Sequence, residues 1–394
     1  MYQPSPDPAT LSAHDLDDVV YPAAIPFALV HLACFAAIWT GVTSEAVILA
    51  VGLYLLRIFA IGAGYHRYFS HRTYKTSRAF QFVLACIAQS SVQRGALWWA
   101  AKHRWHHKHS DTELDVHSPA RSGFFRAHVG WIFMPRHDKT DLAAIPDFAQ
   151  YAELRWLDRH YYVPPVILAV LCWLIAGLPG LVVGFCWSTV ALWHATFCIN
   201  SLAHVHGRRR YVTGDDSRNN WLLAILTMGE GWHNNHHAYQ SSVRQGFRWW
   251  EYDPTFYILK VLSWVGIVWD LQSPPQAVLR NEQKLGRKVI DKVAHQLAAG
   301  FPVERIGHQI REALQHTPSW TEFQARATHA RENAAAFLAE LHMPHLPSLD
   351  EIRATAQARL ARTPSLDDIA GRTRQILLER LVQHLIDDPA PARA

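Results

Sequence analysis

Residues 22–63 read PAAIPFALVHLACFAAIWT, then GVTSE, then AVILAVGLYLLRIFAIGA. Pro22 to Thr40 and Ala46 to Ala63 are each close to the roughly 20 apolar residues with which a helix crosses a hydrocarbon core of about 30 Å. Only a five-residue break separates them, so the stretch predicts a membrane hairpin. The pattern returns from Val163 to Ala176 and from Leu181 to Ile199. The connection, Gly177-Leu178-Pro179-Gly180, is a turn sequence that does not continue a helix. The expectation is therefore an all-α integral membrane protein with four transmembrane helices in two hairpins, the second beginning near His160.

Composition is consistent with this and excludes other classes. Among 394 residues, 49% are hydrophobic and 18% charged, which rules out a disordered or collagen-like chain and a small disulfide scaffold. A mean hydropathy of −0.06 averages a very apolar portion with a very polar one. The net charge of +5 is too small for this length to indicate nucleic acid, and no finger spacing or dense basic run supports that partner. Cys34, Cys86, Cys172, Cys186 and Cys198 sit in apolar stretches without a Cys-x-x-Cys pair, and read as buried reduced thiols.

The connections inside the hairpins lack Lys and Arg, whereas the segment between the hairpins and the chain after Asn200 are rich in both. Positive-inside bias then places both termini and everything between the hairpins in the cytoplasm. Residues 1–20 are acidic and polar, so the first span reads as a retained anchor. Trp98-Trp99, Trp131, Trp249-Trp250 and Trp264 are expected at the headgroup level. Phe80 to Ala101 and Phe256 to Trp269 are expected on or partly in the interface. After Pro274-Pro275 come charged, Ala-rich helical segments, broken at Gly300-Phe301-Pro302, Thr317-Pro318, Pro344 to Pro347 and Thr363-Pro364. The expected domains are a polar tail 1–20, a membrane and catalytic domain 21–275, and a cytoplasmic helical region 276–394 without a catalytic motif.

Four histidine-bearing clusters fall on the predicted cytoplasmic side: His66-Arg67-Tyr68-Phe69-Ser70-His71, His103-Arg104-Trp105-His106-His107, Asn200-Ser201-Leu202-Ala203-His204, and Gly229-Glu230-Gly231-Trp232-His233-Asn234-Asn235-His236-His237. Positions i, i+3 and i+4 share a helical face, so His103, His106 and His107, and likewise His233, His236 and His237, are expected to aim at one point each. Asn200 and His204 are expected on one face of the last span. The five-residue spacing of His66 and His71 suits a helix end feeding two neighbouring metals. Crowded imidazoles without a cation repel when protonated and lack partners when neutral, so a structural role does not account for them. A closed zinc site needs four ligands, which these clusters exceed. A pair of irons open to oxygen fits better, with Glu230, Asp111 and Asp115 orienting histidines from behind. His109 and His117 flank the second box as further support, and His194 is placed on a cavity wall as readily as in the packing. For His31, His128, His137, His160 and His206 an ordinary hydrogen-bonding role is expected.

His-x4-His, His-x2-His-His, Asn-x3-His and Gly-Glu-Gly-Trp-His-x2-His-His, in this order around two hairpins, resemble the membrane fatty acid desaturases, specifically the acyl-CoA Δ9 (stearoyl-CoA) type in its bacterial form. The likeness runs from about residue 20 to 275 and includes Gly123-Phe124-Phe125 with His128-Val129-Gly130-Trp131. It implies His66, His71, His103, His106, His107, His204, His233, His236 and His237 as iron ligands and Asn200 as a contact through water. Ala101-Lys102 stand where animal members carry Arg-Asp, which bears on recognition of the acyl carrier. A fused cytochrome b5 motif, a dinucleotide fingerprint and an iron–sulfur cysteine cluster are absent from the sequence, so electrons are expected from a separate NAD(P)H-dependent reductase or carrier.

The resulting expectation is an O2-dependent acyl-CoA desaturase acting on a long-chain saturated acyl-CoA. Trp193, Thr196 and Phe197 are expected along the acyl channel. Arg121, Arg126 and Arg136, with Arg208-Arg209-Arg210, are expected at headgroup phosphates or at membrane lipid. The alternatives are a membrane hydroxylase or alkane monooxygenase, a phospholipid desaturase, and a non-catalytic metal-binding membrane protein. The one-sided gathering of ligands argues against transport.

Overall fold

The computed structural model describes residues 21–134, 137–341, 343 and 346–387. The tail 1–20 and Arg136 therefore lie outside the described residues. The chain forms two compact units, Met1–Arg210 with Asp216–Pro275, and Tyr211–Asp215 with Gln276–Ala394.

In the first unit, α1 (Ala24–Thr40) stops at Gly41, whose φ of 77° a side chain would resist. The Thr43 hydroxyl then accepts from Ala46 N at 3.2 Å and starts α2 (Ser44–Ser70). Next come α3 (Arg78–Gln89), capped by Ser77, and α4 (Ala96–His109). α5 (Val163–Pro179) carries a kink at Ala176–Gly177, beyond which Gly180 returns against the Cys172 carbonyl, where a Cβ would not fit. The chain runs on through Gly180–Trp187 into α6 (Ser188–Asn200). Short helices α7 (Trp221–Leu226), α8 (His233–Ala238) and α9 (Pro254–Trp264) follow. The one two-stranded sheet among the described residues joins Lys75–Thr76 to Val268–Trp269, and isolated antiparallel bridges link Asn219 to Arg208 and to Trp232.

Two helical runs, Ser44–Ser70 and Val163–Val205, are long and apolar enough to cross a membrane, and α1 is a shorter apolar helix. Their outer surface is apolar: Leu32, Ile38, Trp39, Ile48, Leu174 and Ile175 are 62–80% exposed. Such a surface is costly in water and suits hydrocarbon. Inside it lies a charge that hydropathy hides. Arg57 on α2 is fully buried and donates to Leu53 O at 3.1 Å, Thr189 Oγ1 at 2.8 Å and Ser188 Oγ at 2.5 Å, which ties α2 to the α6 segment.

Two interfacial expectations are corrected. Trp98 and Trp131 are buried and stacked, ring centroids 5.9 Å apart, with Trp98 Nε1 donating to His137 O. Indole pairs gain as much from packing as from headgroups, and sequence position does not separate the two. Trp249 and Trp264 are exposed. Phe80 to Ala101 is two helices, because Val92 and Arg94 adopt positive φ and turn the chain between α3 and α4. Of the cysteines, Cys172 and Cys186 are buried and the others half-buried, all as free thiols.

The second unit has helices at Arg287–Ala298, Val303–Leu314, Pro318–His329, Arg331–Glu340, Leu349–Arg359 and Leu366–Asp387. Its core includes Ile310, Phe323, Leu338, Leu377 and Leu381. Ser348 and Glu351 form a reciprocal capping box. Val212, from the 211–215 segment, packs with Val293 and Leu297.

Candidate metal centre

Nine of the histidines gather in two groups: His66, His71, His103, His107 and His236 in one, and His106, His204, His233 and His237 in the other. The boxes therefore do not each serve one point. A helix advances about 100° per residue, so i and i+4 lie about 40° apart while i+3 falls about 100° from i+4. On α4, His103 and His107 accordingly face the first group and His106 the second; on α8, His233 and His237 face the second group and His236 the first. Each helix supplies both groups.

His66 and His71 also differ from expectation, since both join the first group. Ile61–Ser70 is π-helical, and His71 N donates to His66 O at 3.3 Å, an i+5 bond. That winding stacks residues five apart on one face. In the first group the Nε2 atoms form a chain of contacts: His66 to His236 at 3.0 Å, His236 to His107, His107 to His103 and His103 to His71, each at 2.9 Å. In the second, His204 Nε2 lies 3.0 Å from His233 Nε2.

Carboxylates fix the tautomers from behind. His66 Nδ1 meets Glu230, His106 Nδ1 meets Asp115 at 2.8 Å, and His204 Nδ1 meets Asp111 at 3.0 Å. With the proton held at Nδ1, the Nε2 lone pairs of these rings point inward. Buried nitrogen lone pairs about 3 Å apart repel unless a cation sits among them, and His106 Nε2 is buried with no hydrogen-bond partner. The spacing suits neighbouring ligands of one ion at about 2.1 Å. The residues present thus fit two metal ions.

Electrostatics prepare the donors. Burial, and then the neighbouring imidazoles, hold His71, His103, His107, His233 and His236 well below the usual histidine value, so all are neutral at pH 7. Burial opposes charge on the carboxylates, but their partners prevail. Glu230 is held down to about 2 by His66 and Arg67, Asp111 to about 2 by His204, Ser118 and Asp216 N, and Asp115 is lowered by His106.

Several supports were not foreseen. Arg67, fully buried, donates to Glu230 Oε1 and Asp253 Oδ1, both at 2.9 Å. Gln245 Nε2 lies 3.1 Å from His66 Nδ1. Asn235 donates to Glu251 Oε2 and Gln245 O, both at 2.9 Å, and Arg210 N donates to Asn234 Oδ1 at 2.7 Å, so the asparagines between His233 and His236 clamp α8 from its other face. Arg104 pairs with Asp147 and donates to Phe69 O and Ser70 O, fixing α4 against the end of α2. The Arg in each His-Arg pair was the available signal; a membrane-proximal arginine otherwise reads as positive-inside bias.

The remaining expected residues are placed as follows. Asn200 ends α6, and the chain breaks at Ser201 (φ −108°, ψ −69°) before His204, so the two do not share a continuous helix. The His117 ring lies tilted with its centroid 4.3 Å from that of His106, while His109 packs on Trp105. His31, His194 and His128 form a hydrogen-bonded series ending on Ser201, with steps of 3.1, 3.0 and 2.9 Å. Trp193 stacks on Phe27 at 4.9 Å, Phe197 lies 6.4 Å from Phe27, and Thr196 Oγ1 accepts from Gln93 at 3.3 Å. Arg121 Nε donates to Asp111 O at 3.3 Å, and Arg126 Nη2 lies 3.4 Å from Met134 Sδ.

The fatty acid desaturase family model matches residues 43–263. An acyl-CoA 5-desaturase of Anemone leveillei is 35% identical over 255 residues, covering 64% of this chain and 79% of the relative. An sn-2 palmitoyl-lipid 9-desaturase of Nostoc sp. is 34% identical over 256 residues, covering 64% and 90%. A probable acyl-CoA desaturase of Schizosaccharomyces pombe is 32% identical over 291 residues, covering 71% and 60%.

Proposed function

The chain belongs to the fatty acid desaturase family and is an oxidoreductase acting on fatty acids; on that premise we propose that it is a Δ9 acyl-CoA desaturase with two irons in the histidine groups. The observation that carries the metal assignment is the convergence of nine buried or half-buried imidazoles, three of which are held in one tautomer by carboxylates. His66, His71, His103, His107 and His236 would hold one ion, and His106, His204, His233 and His237 the other, with Asn200 contacting it through water. Iron there supplies O2 activation strong enough to take hydrogen from unactivated methylenes.

The chain's own part is placement. Burial excludes water from the nitrogens, and Glu230, Asp111 and Asp115 keep each bound ring aimed. Neighbouring methylenes differ little chemically, so regioselectivity falls to a channel wall, for which Trp193, Thr196 and Phe197 are proposed. Arg121 and Arg126 are proposed at the acyl-carrier phosphates. Four spans, cytoplasmic termini and active site, and a bacterial inner membrane complete the reading, with residues 21–275 as the catalytic domain and electrons delivered by a separate protein. The fourfold recurrence of apolar segments and the charge asymmetry of their connections support it.

The test supplies membranes containing the protein with saturated C16 or C18 acyl-CoA, O2, a reductase and NAD(P)H. A cis-Δ9 product by mass spectrometry is expected. A product heavier by one oxygen would mean hydroxylation, and unsaturation confined to intact phospholipid would overturn the acyl-CoA assignment.

A further inference from the structure

A second feature of the first unit lies outside the histidine groups. A cavity of about 830 Å³ is lined by Arg208, Arg209, Arg210, Arg218, Trp221 and Trp250. Two of these arginines are neutralised, Arg209 by Asp216 and Arg210 by Glu251. Among the described residues Arg208 and Arg218 make no ion pair. Arg218 Nη1 reaches Gly207 O only at 3.5 Å, and Arg218 Nε is buried without a hydrogen-bond partner. The charge of Arg208 and Arg218 is thus offset by no ion pair among the described residues, and an oxyanion in the cavity supplies one.

The surroundings identify the oxyanion's carrier. Trp221 is 66% and Trp250 56% exposed at the rim, and α7 continues the apolar surface through exposed Leu222 and Ile225. The Tyr54 hydroxyl donates to Leu226 O at 2.7 Å, which fixes α7 beside the membrane-crossing helix α2 well inside its span. Cationic lining, indole rim and apolar helix thus follow one another at bilayer level, the order in which a phospholipid presents phosphate, glycerol and acyl chain. We propose that this cavity binds the phosphate of an anionic membrane phospholipid, whose chains lie along α7. The inference concerns lipid retention and holds for any regiochemistry of the reaction.

The experiment uses the full chain, loaded with metal, in detergent. Native mass spectrometry follows titration with phosphatidylglycerol and phosphatidylcholine of identical chains. The expected result is retention of phosphatidylglycerol by more than about tenfold over phosphatidylcholine, since each basic residue near the headgroup is worth about fivefold. R208Q, at an exposed position, should lower the preference about fivefold, and R208Q/R218Q should abolish it. W221A should weaken both lipids alike and leave their ratio unchanged. Unchanged preference in R208Q and the double variant overturns the proposal. Displacement of phosphatidylglycerol by millimolar inorganic phosphate would instead make this a free-phosphate site, and displacement by acyl-CoA would make it part of the substrate site; either overturns the lipid assignment.

Discussion

The two histidine groups draw on the same two helices, α4 and α8, yet they are supported differently. The first has five imidazoles and one carboxylate behind them, Glu230, itself tied to Arg67 and Asp253 in a buried ion-pair network. The second has four imidazoles and two carboxylates, Asp111 and Asp115, from the loop after α4. The first group has donors to spare and a rigid anchor. The second has none to spare and depends on its loop for aim. Ligand number and ligand orientation are thus alternative ways to hold an ion, and the chain uses one at each position.

The largest expected effect breaks the comparison at the ligands. H71A and H233A should each lower desaturase turnover by at least about a hundredfold, since both ions are needed for the proposed chemistry. Metal content should separate them: H233A leaves three imidazoles and should lose about one ion per chain, whereas H71A leaves four and should keep most of both. Equal metal loss in the two variants, by elemental analysis of the purified chain, would remove the distinction between the groups.

Next come the carboxylates. Loss of a group that orients a metal ligand typically costs about 10–100-fold in affinity or activity, and D115N should fall in that range. E230Q should do so too and should also lower thermal stability, because Arg67 remains buried with only Asp253. The loss should stay below the roughly 3–5 kcal/mol of a wholly broken buried pair. A thermal melt of E230Q indistinguishable from that of D115N would show that the ion-pair network gives the first group no extra rigidity.

Much of this architecture was legible because it is local. Apolar runs such as Ala46 to Ala63 need only length and composition to be read, and His103, His106 and His107 announce their chemistry by spacing. What spacing alone left open was the partition between ions, which requires the 100° step of α4 to be drawn explicitly and the π-helical winding of Ile61–Ser70 to be known. Arg67 meets Glu230 across 163 positions and Asp253 across 186, and Gln245 reaches His66 across 179, distances over which no periodicity carries information. The turn between α3 and α4 is hidden for the same reason. Arg94 accepts positive φ because tertiary contacts hold it: the Tyr65 hydroxyl donates to Arg94 O at 2.7 Å, and Arg94 pairs with Asp138 at 2.5 Å. The opposite error occurred at Trp98 and Trp131, where a general preference for headgroups gave way to a specific stack.

A gentler perturbation is acid. Asp111 and Glu230, held down to about 2, stay ionised throughout mild acidification. Burial and neighbouring imidazoles hold His71, His103, His107, His233 and His236 below the usual histidine value of about 6.5. A group depressed in this way contributes stability above its unfolded pKa and loses it as pH falls. The metal-free chain should therefore melt lower as pH drops below about 6.5, and the loaded chain should release metal at lower pH, as the folded imidazoles themselves protonate. Metal retained down to the carboxylate range would show that proton competition at the imidazoles does not govern release.

The smallest effect is expected from removing the C-terminal helices by stopping the chain near residue 285. The histidines, their carboxylates and Arg67 all belong to the first unit, so metal content should change little. Any effect should fall on the second group. The segment 211–215 packs within the second unit through Val212, beside Val293 and Leu297, and leads directly into Asp216, whose N–H donates to Asp111 Oδ2 at 2.7 Å. Asp111 in turn orients His204. Freeing Val212 should loosen Asp216 and so weaken the aim of one imidazole among four, a loss of a few-fold in affinity for that ion, with the five-imidazole group unchanged. Metal content and release rates of the truncated chain provide the check. Weakening confined to the first group would contradict the path through Asp216 and Asp111, and a well-folded truncated chain without metal would place part of the centre in the C-terminal helices.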